Sequence, residues 1–386
     1  MRTYERTHPW INFTLDLNNA RYIHWLMLGE AQSKCRHFEQ VPLLPDVAKH
    51  LYSIYLAKGV SATTAIEGNT LTEDEVLRRI EGKLELPASK DYMGQEIDNI
   101  IEACNMIGNH VLESETPDIS IDTFKRYNKL VLKDLPLAEH VMPGEIRDYV
   151  VVVGPYKGAP SDDCEYLLSQ LCGWINRELD APQEYRMAFG ILKAVLAHLY
   201  LAWIHPFGDG NGRTARLIEL HLLLAAGVPT IAGHLLSNHY NQTRTEYYRQ
   251  LDLSHQAENN VFSFLEYALR GFIDGLKEQI NVIKDQQMTV HWINHVHSVF
   301  KDKDGAADLR RKRLVIDLSE SDDLVPVSAI RYLSPRVAEG YASKTDKTIQ
   351  RDINALVEMD LITKSGSNIH VRKEKMLAFI SPVRND

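Results

Sequence analysis

Apolar residues recur every three or four positions along most of the first 280 residues of the chain. In the segment 45–66, Val47, Leu51 and Ile54 follow this spacing, and Gly68-Asn69 supplies a stop signal after it. The motif Thr72-Glu-Asp-Glu opens a further segment with acidic residues where a helix dipole favours them. The same periodicity occurs in residues 91–108, 121–132, 162–179, 185–203 and 212–226. This pattern predicts a mainly α-helical protein.

One segment departs from the helical pattern. Residues 147–153 read Arg-Asp-Tyr-Val-Val-Val-Val, and turn-forming residues border them at Gly144 and at Gly154-Pro155. β-Branched residues between turn signals favour a short strand or a hairpin, whose edge leaves backbone groups unpaired. We therefore predict a short strand or a hairpin here.

The last hundred residues have a different character. Residues 302–323 are acidic and polar, which is typical of a joint between two units. The segments that follow read helix, turn, helix and hairpin, at residues 328–333, 335–340, 346–359 and 361–372. Small helices that lead into a two-stranded wing predict a winged helix-turn-helix domain.

Composition and charge narrow the class of protein. The chain has 386 residues and a formal net charge of −9, which argues against a whole-chain binder of polyanions. Its four cysteines show no Cys-x-x-Cys spacing and fit a reduced protein better than a disulfide framework or a zinc site. The first ten residues lack the apolar core of a signal peptide, and the apolar stretch 189–204 is too short to span a bilayer. These features predict a cytoplasmic protein without a membrane part.

Chemically reactive and ligand-binding residue types are most concentrated in residues 205–216, which read His-Pro-Phe-Gly-Asp-Gly-Asn-Gly-Arg-Thr-Ala-Arg. Pro206 stops the preceding helix, and three glycines give the loop conformations that other residues avoid. A new helix begins at the end of this loop, so its free N–H groups form an anion site. Arg213 and Arg216 lie on one face of that helix and can reach the same phosphate chain.

Two further side chains complete this candidate site. Asp209 suits Mg²⁺, which prefers one or two carboxylates together with phosphate oxygens and water. His205 is a base able to accept a proton from a hydroxyl group. The alternative is an ordinary turn in which Asp209 caps a helix and the arginines are solvated. All of these residue types within twelve positions favour the phosphate-binding interpretation.

The segment resembles the signature of the Fic (Fic/Doc) family, His-Pro-Phe-x-Asp/Glu-Gly-Asn-Gly-Arg-x-x-Arg, with every defining position filled. Most members move AMP from ATP onto a hydroxyl side chain of a target protein. The resemblance covers about residues 40–275. It implies that His205 is the catalytic general base, that Asp209 binds Mg²⁺ and that Arg216 holds the γ-phosphate. The nucleotide-binding residues that it implies are Gly208, Gly210, Asn211, Gly212, Arg213, Arg216, Tyr247 and Tyr248.

A second segment, Thr63-Thr-Ala-Ile-Glu67-Gly68-Asn69, matches the inhibitory motif of some family members, Ser/Thr-x-x-x-Glu-Gly/Asn. The resemblance implies that Glu67 pairs with Arg216 and occupies the guanidinium that binds the γ-phosphate. ATP still binds in that case, but its phosphates are turned from productive geometry. The alternative is that Glu67 merely ends a helix before Gly68.

Three assignments have competing interpretations. Val150, Val151, Val152 and Val153 fit the flap on which family members align a target segment, but they fit an ordinary edge hairpin equally well. Tyr247 and Tyr248 lie where relatives place aromatics near adenine, or they are core residues of a helix. His255 stands where some relatives have a base-contacting asparagine, which leaves the choice among ATP, UTP, GTP and CTP open.

Together, these features predict a mainly α-helical Fic bundle with a hairpin flap and a C-terminal winged helix. We assign residues 1–110 to an N-terminal helical region with the inhibitory helix, 111–280 to the catalytic core, and 281–386 to a linker and the winged-helix domain. The predicted activity is self-inhibited adenylyl transfer from ATP, with Mg²⁺, to a protein hydroxyl. Removal of AMP from a modified target by the same site is one alternative, and a DNA-binding regulator with a nucleotide-sensing core is another.

The charge of the C-terminal segment does not clearly favour DNA or protein as its binding partner. Residues 321–386 contain ten Lys and Arg against nine Asp and Glu, a net charge of +1. DNA affinity comes largely from phosphate neutralisation, so this balance is weak for that purpose. A homodimer or another protein contact is the competing expectation for this region.

Overall fold

The computed structural model describes residues 2–16, 19–113, 118–179, 181–256, 261–321 and 323–377. Its contacts divide the chain into two compact units, Met1–Ile280 and Asn281–Asp386. The predicted regions 1–110 and 111–280 lie together in the first unit. The described residues are mainly helical with two small sheets, which confirms the predicted fold class.

Among the residues of the first unit that the structure describes, twelve α-helices begin. They are α1 Tyr4–Thr7, α2 Tyr22–Glu39, α3 Pro45–Ala65, α4 Glu73–Ile80, α5 Asp91–Glu113, α6 Ile121–Val131, α7 Ser161–Gly173, α8 Arg186–Ile204, α9 Asn211–Ala225, α10 Leu235–Gln242, α11 Arg244–Ser254 and α12 Val261–Val299. A π-helical turn, Trp174–Glu178, extends α7. The hairpin strands β1 Val152–Val153 and β2 Tyr156–Lys157 lie between α6 and α7.

Side chains at the helix starts explain several of these boundaries. The Thr72 hydroxyl accepts a hydrogen bond from the Glu75 N–H, and the Glu75 carboxylate accepts one from the Thr72 N–H. This reciprocal capping satisfies two N–H groups that the first turn of α4 leaves free. Ser120 and Thr123 form the same arrangement at α6.

Helix α8 is the centre of the first unit. Apolar side chains surround it on all faces, and α2, α7 and α9 pack against it. Within the described residues, one helical stretch, Gln183–Ile204, has the length and composition to cross a membrane, with a mean hydropathy of 1.7. Of the 18 consecutive residues with the highest hydropathy in this stretch, 83% are buried inside the unit, so the stretch is weak evidence that the chain crosses a membrane. A helix that is hydrophobic on all sides is equally typical of the core of a folded domain.

The hairpin is present but shorter than the valine run predicts. Only Val152 and Val153 pair, with Lys157 and Tyr156, across the turn Gly154-Pro155. The residues before them do not form the predicted strand, because the backbone and side chain of Arg147 bind the loop that follows α8. Tertiary contacts therefore override the local β-propensity of this segment.

The second unit has its own core, to which the last turns of α12 contribute Trp292 and Val296. Its further helices are α13 Ala306–Leu318, α14 Pro335–Tyr341 and α15 Asp346–Glu358. Strands β3 Val325–Pro326, β4 Ile362–Ser365 and β5 Asn368–Val371 form an antiparallel sheet in the order β3-β5-β4. The winged helix-turn-helix assignment stays a prediction.

The predicted linker at residues 302–323 is wrong over much of its length, because α13 forms there and buries Leu314 and Leu318. Arg310 and Arg311 in this helix each form an ion pair with the buried carboxylate of Asp352 on α15. The charged residues Arg310 and Arg311, which contribute to the linker-like composition of this segment, are thus neutralised by Asp352 inside the unit.

Candidate active site

The chain leaves α8 through a sharp change of direction at His205. This residue has φ 50° and ψ 58°, the left-handed conformation, and Pro206 then prevents the helix from continuing. A non-glycine residue in this conformation costs about 1–2 kcal/mol, so other contacts must hold it. The imidazole is thereby directed out of the helical path at the start of the glycine-rich loop.

Arg147 supplies those contacts. Its side chain is buried, and its guanidinium donates hydrogen bonds to the carbonyls of His205 at 2.7 Å, Ala159 at 2.6 Å and Tyr149. A planar group with five donors can bind several carbonyls at once. Sequence reasoning missed this role, since a single arginine before a valine run carries no motif.

The protonation of His205 follows from its surroundings. Its Nδ1 lies 3.3 Å from the Ala202 carbonyl oxygen, which can only accept, so this contact places the hydrogen on Nδ1 and leaves Nε2 as the basic nitrogen. The pKa of the His205 imidazole is lowered to about 4, mainly by burial and also by the nearby Arg147, which together outweigh the opposing effect of the Ala202 carbonyl. The group is therefore neutral at pH 7 and able to accept a proton.

The loop between α8 and α9 is held by its own asparagine. The Asn211 side chain accepts a hydrogen bond from the Phe207 N–H at 3.0 Å and donates one to the Phe207 carbonyl at 2.8 Å. Both polar ends of this predicted nucleotide-binding side chain are thus used in closing the loop. Gly210 has φ +75°, which favours glycine, and a β-carbon at Gly208 would collide with the Tyr149 hydroxyl.

Asp209 lies at the edge of the loop with half of its side chain exposed. Its Oδ1 accepts a hydrogen bond from the Gly210 N–H at 2.5 Å and lies 3.6 Å from Arg213 Nη2. The described residues contain no group of three or more His, Cys, Asp or Glu side chains arranged to hold a metal. A single exposed carboxylate fits Mg²⁺, which takes its remaining ligands from phosphates and water.

Three N–H groups of Arg216 are bonded to residues from the end of α3 and the turn after it. Its Nε donates to Thr63 Oγ1 at 2.6 Å, and its Nη2 donates to the Thr63 carbonyl at 3.0 Å and to Glu67 Oε1 at 2.6 Å. The Arg216 side chain is 2% exposed, whereas that of Glu67 is 32% exposed. The contact is therefore a charge-assisted hydrogen bond between a buried cation and a carboxylate that still meets solvent.

The charge of Glu67 is stabilised in this position. Burial raises the pKa of its carboxyl, but the Arg216 guanidinium and its hydrogen bond outweigh burial, and the pKa lies below its ordinary value. Gly68, with φ +104°, turns the chain directly after this residue. A β-carbon at Gly212 would lie 2.5 Å from Glu67 Oε1, so the carboxylate rests against the first turn of α9.

Arg213 is held by a residue that sequence reasoning missed. Its Nη1 donates to Glu96 Oε1 at 2.9 Å, and both side chains are largely buried. Glu96 lies on α5, more than one hundred residues earlier, within a segment that shows only helical periodicity. No local signal identifies it.

A cavity of about 600 Å³ collects most of the predicted site residues. Its lining includes Glu67, Val151, Val152, Val153, His205, Gly208, Asp209, Gly210, Asn211, Gly212, Arg216, Tyr247 and Tyr248, together with His255. Thr63, Gly68, Arg213 and Val150 do not line it, although Thr63 and Arg213 bind residues that do. The two elements of the predicted site, the loop and the inhibitory turn, thus share one space.

A sequence profile described as the Fic/DOC family matches residues 118–223, which include this loop. The chain contains a Fic domain. The match runs from just before α6 to the last turn of α9, and therefore includes the hairpin, His205 and both arginines.

Curated relatives extend the similarity beyond the Fic domain. Protein adenylyltransferase fic-1 of Caenorhabditis elegans is 26% identical over 279 residues, which cover 72% of this chain and 50% of the relative. Protein adenylyltransferase Fic of Nematostella vectensis is 29% identical over 203 residues, or 52% of this chain and 43% of the relative. The chain thus spans about half the length of the curated relatives it matches.

Solved structures agree with the fold of the Fic domain. A Fic family protein from Desulfovibrio desulfuricans G20 has a TM-score of 0.56 at 17% identity and covers 92% of this chain and 97% of its own. Fic-1 of C. elegans, residues 134–508, has a TM-score of 0.54 at 26% identity and covers 68% of this chain and 73% of its own. The first likeness concerns the fold alone.

At the wall of the cavity, the first unit has a buried polar cluster that sequence reasoning also missed. Tyr247 is buried, and its hydroxyl lies 2.9 Å from His198 Nε2. His198 Nδ1 lies 3.5 Å from the buried carboxylate of Glu219, which also accepts a hydrogen bond from the Tyr240 hydroxyl at 2.9 Å. The signal that would have found the cluster is a histidine and a glutamate inside the apolar helices α8 and α9.

Proposed function

We propose that the protein is an adenylyltransferase that moves AMP from ATP to a Ser, Thr or Tyr hydroxyl of a target protein and of itself. We further propose that Glu67 inhibits it. The observation that supports both statements is the Glu67–Arg216 pair, 2.6 Å long, in the same cavity as the neutral base His205. The names of the curated relatives support the transfer of AMP.

In the proposed reaction, the target hydroxyl oxygen attacks the α-phosphorus of ATP. A bond forms between these two atoms, the bond from the α-phosphorus to the bridging oxygen breaks, and pyrophosphate leaves. His205 Nε2 accepts the hydroxyl proton, which its low pKa permits at neutral pH. Asp209 would hold Mg²⁺, which would neutralise phosphate charge.

The N–H groups at the start of α9 and the two arginines supply the positive field for the phosphates. In this proposal Arg216 binds the terminal phosphate only after Glu67 leaves it, because its Nε and Nη2 are already bonded. The proposed inhibition is therefore a competition between a carboxylate and a phosphate for one guanidinium. It does not require ATP to be excluded from the cavity.

The hairpin is the proposed docking surface for the target. Val152 and Val153 line the cavity, and the residue Val152 is 60% exposed. A target segment that adds to the edge of this hairpin would present its hydroxyl beside His205. His8 supports the hairpin from behind, since its Nε2 lies 2.9 Å from the Lys157 carbonyl oxygen.

Incorporation of label from α-labelled ATP tests the proposal. The unsubstituted protein with Mg²⁺ should label itself weakly, Glu67→Gly strongly, and Glu67→Gly/His205→Ala not at all. Glu67→Gly/His37→Ala is the matched control, because His37 is an exposed histidine on α2, and it should label like Glu67→Gly. An unlabelled Glu67→Gly protein that still binds nucleotide would exclude the transferase activity.

The reverse reaction is a second candidate. Glu67 binds Arg216 through Oε1 and is partly exposed toward the cavity, so its carboxylate can also orient a water molecule. Purified target that carries AMP should then release it in the presence of the unsubstituted protein but not of Glu67→Gln. Retention of AMP by the target under both conditions excludes this direction.

For the second unit, we propose a protein contact, such as a homodimer, rather than DNA binding. Its arginines are largely paired with carboxylates, as in Arg331–Asp346, Arg336–Asp317 and Arg372–Asp360. A mobility-shift assay at low salt should show no DNA binding, and a salt-sensitive shift would favour the regulator hypothesis. We also propose that the protein is cytoplasmic.

A further inference from the structure

One carboxylate joins the phosphate-side arginine to the inhibitory turn. Glu96 Oε1 accepts a hydrogen bond from Arg213 Nη1 at 2.9 Å, and Glu96 Oε2 accepts one from Asn69 Nδ2 at 2.9 Å. The Glu96 side chain is 15% exposed, so both contacts are shielded from solvent. Its two oxygens therefore hold an arginine of the glycine-rich loop region and an asparagine of the inhibitory turn.

Asn69 fixes the turn that carries Glu67. Its amide also donates to the Met93 carbonyl at 3.0 Å, and its side-chain oxygen accepts from the Leu71 N–H at 3.0 Å. Its side chain is thus bonded through both polar ends, and the residue itself is buried. Because Asn69 follows Glu67 by two positions, its hold on α5 limits how far the Glu67 carboxylate can move.

Arg213 and Arg216 differ in how many of their N–H groups are hydrogen-bonded. Arg216 donates through Nε and Nη2 to Thr63 and Glu67. Glu96 takes only Nη1 of Arg213, and among the described residues the buried Nε of Arg213 has no hydrogen-bond partner. Glu96 therefore orients the Arg213 guanidinium without saturating it, which is what an arginine awaiting an anionic ligand requires.

We propose that Glu96 is a positioning residue that orients Arg213 for the nucleotide phosphates and, through Asn69, links this arginine to the inhibitory turn. This role depends on the nucleotide transfer proposed above. Displacement of the turn that carries Glu67 then also disturbs Glu96, the partner of Arg213. Inhibition and phosphate binding therefore both depend on the position of Glu96.

Glutamine at position 96 separates the two contacts without a change of volume. Its amide oxygen can accept from Arg213 or from Asn69, but its NH₂ group then faces the other donor. One of the two hydrogen bonds is necessarily lost, and the charge opposite Arg213 is lost with it. Glu102→Gln is the matched control, because Glu102 lies on the same helix and pairs at the surface with Lys133.

The first measurement compares ATP saturation curves for self-labelling in the Glu67→Gly background. Glu96→Gln should raise the KM for ATP about tenfold, as expected from the loss of one charge-assisted hydrogen bond, while kcat stays within about twofold. Glu102→Gln should change neither constant. An unchanged KM in Glu67→Gly/Glu96→Gln overturns the proposal, and so does a fall in kcat alone.

The second measurement tests the link to the turn in protein that retains Glu67. Asn69→Ala should raise self-labelling about threefold or more, because the turn loses its anchor to α5. In the Glu67→Gly background the same substitution should raise the KM for ATP, but less than Glu96→Gln does, because Glu96 keeps its contact with Arg213 and loses only the one with Asn69. Labelling as weak as that of the unsubstituted protein overturns the link.

Equilibrium binding of a fluorescent ATP analogue separates this proposal from the transferase activity. Were Glu67→Gly unable to label itself, the adenylyltransferase function would fail, yet the Kd for the analogue would still report on Glu96. Glu96→Gln should weaken that Kd about tenfold in a protein whose thermal melting remains cooperative. An equal Kd with and without the substitution overturns the role of Glu96.

Discussion

Replacement of Glu67 by glutamine should release only part of the inhibition. The native contact joins a carboxylate to a guanidinium, and such charged hydrogen bonds contribute about 1.5–3 kcal/mol, against about 0.5–1.5 kcal/mol for neutral ones. Because a third of the Glu67 side chain is exposed, the low end of each range applies. Glutamine keeps a neutral hydrogen bond to Arg216, so the difference of about 1 kcal/mol predicts a rise of about fivefold in the labelling rate.

Glycine removes the whole contact and clears the space beside Gly212. The loss of about 1.5 kcal/mol then predicts a rise of about tenfold or more. The assay is the initial rate of self-labelling at an ATP concentration well below KM, where competition for Arg216 has its full effect. Glutamine that activates as strongly as glycine would refute the reasoning, because charge would then play no part in the competition.

Two further predictions concern the base and its support. Because burial lowers the pKa of His205 to about 4, the imidazole is neutral at higher pH. The kcat/KM of Glu67→Gly should therefore decrease through protonation of His205 only as the pH falls toward 4. A pH–rate profile that instead loses half its activity near pH 6.5 contradicts this assignment. Arg147→Lys in the same background should lower kcat about tenfold and lower the melting temperature, because an ammonium group cannot span the three carbonyls that Arg147 binds. Arg249→Lys at the surface is its control, and equal kcat values for the two variants would contradict the role of Arg147.

The parts of the site that the sequence predicts are those encoded by adjacent residues. Residues 205–216 predict the loop, the helix start and the two arginines, because the spacing along the chain determines their geometry. The motif at residues 63–69 predicts the partner of Arg216 only through its resemblance to a family pattern. The structure places Glu67 at that arginine, and the inhibitory role stays a prediction.

Contacts between distant segments could not be predicted in this way. Arg147 and Glu96 act on His205 and Arg213 from other elements, and neither stands in a pattern that marks it. The valine run overpredicts its strand for the same reason, since the contacts of Arg147 outweigh local propensity. At residues 302–323, the charges predict a linker because the sequence does not show that Asp352 will neutralise Arg310 and Arg311.

The close approach of Glu67 to Gly212 restricts how the proposed activity can be switched on. The space that a β-carbon at position 212 would fill is the space in which the carboxylate rests, 2.5 Å away. Under the proposed function, a larger residue there would expel the inhibitor but would also obstruct the phosphates at the start of α9. A substitution in the loop would therefore remove the inhibition and impair phosphate binding at the same time. Activation has to come from movement of the turn at residues 67–69 away from Arg216, which leaves the loop intact and can be reversed.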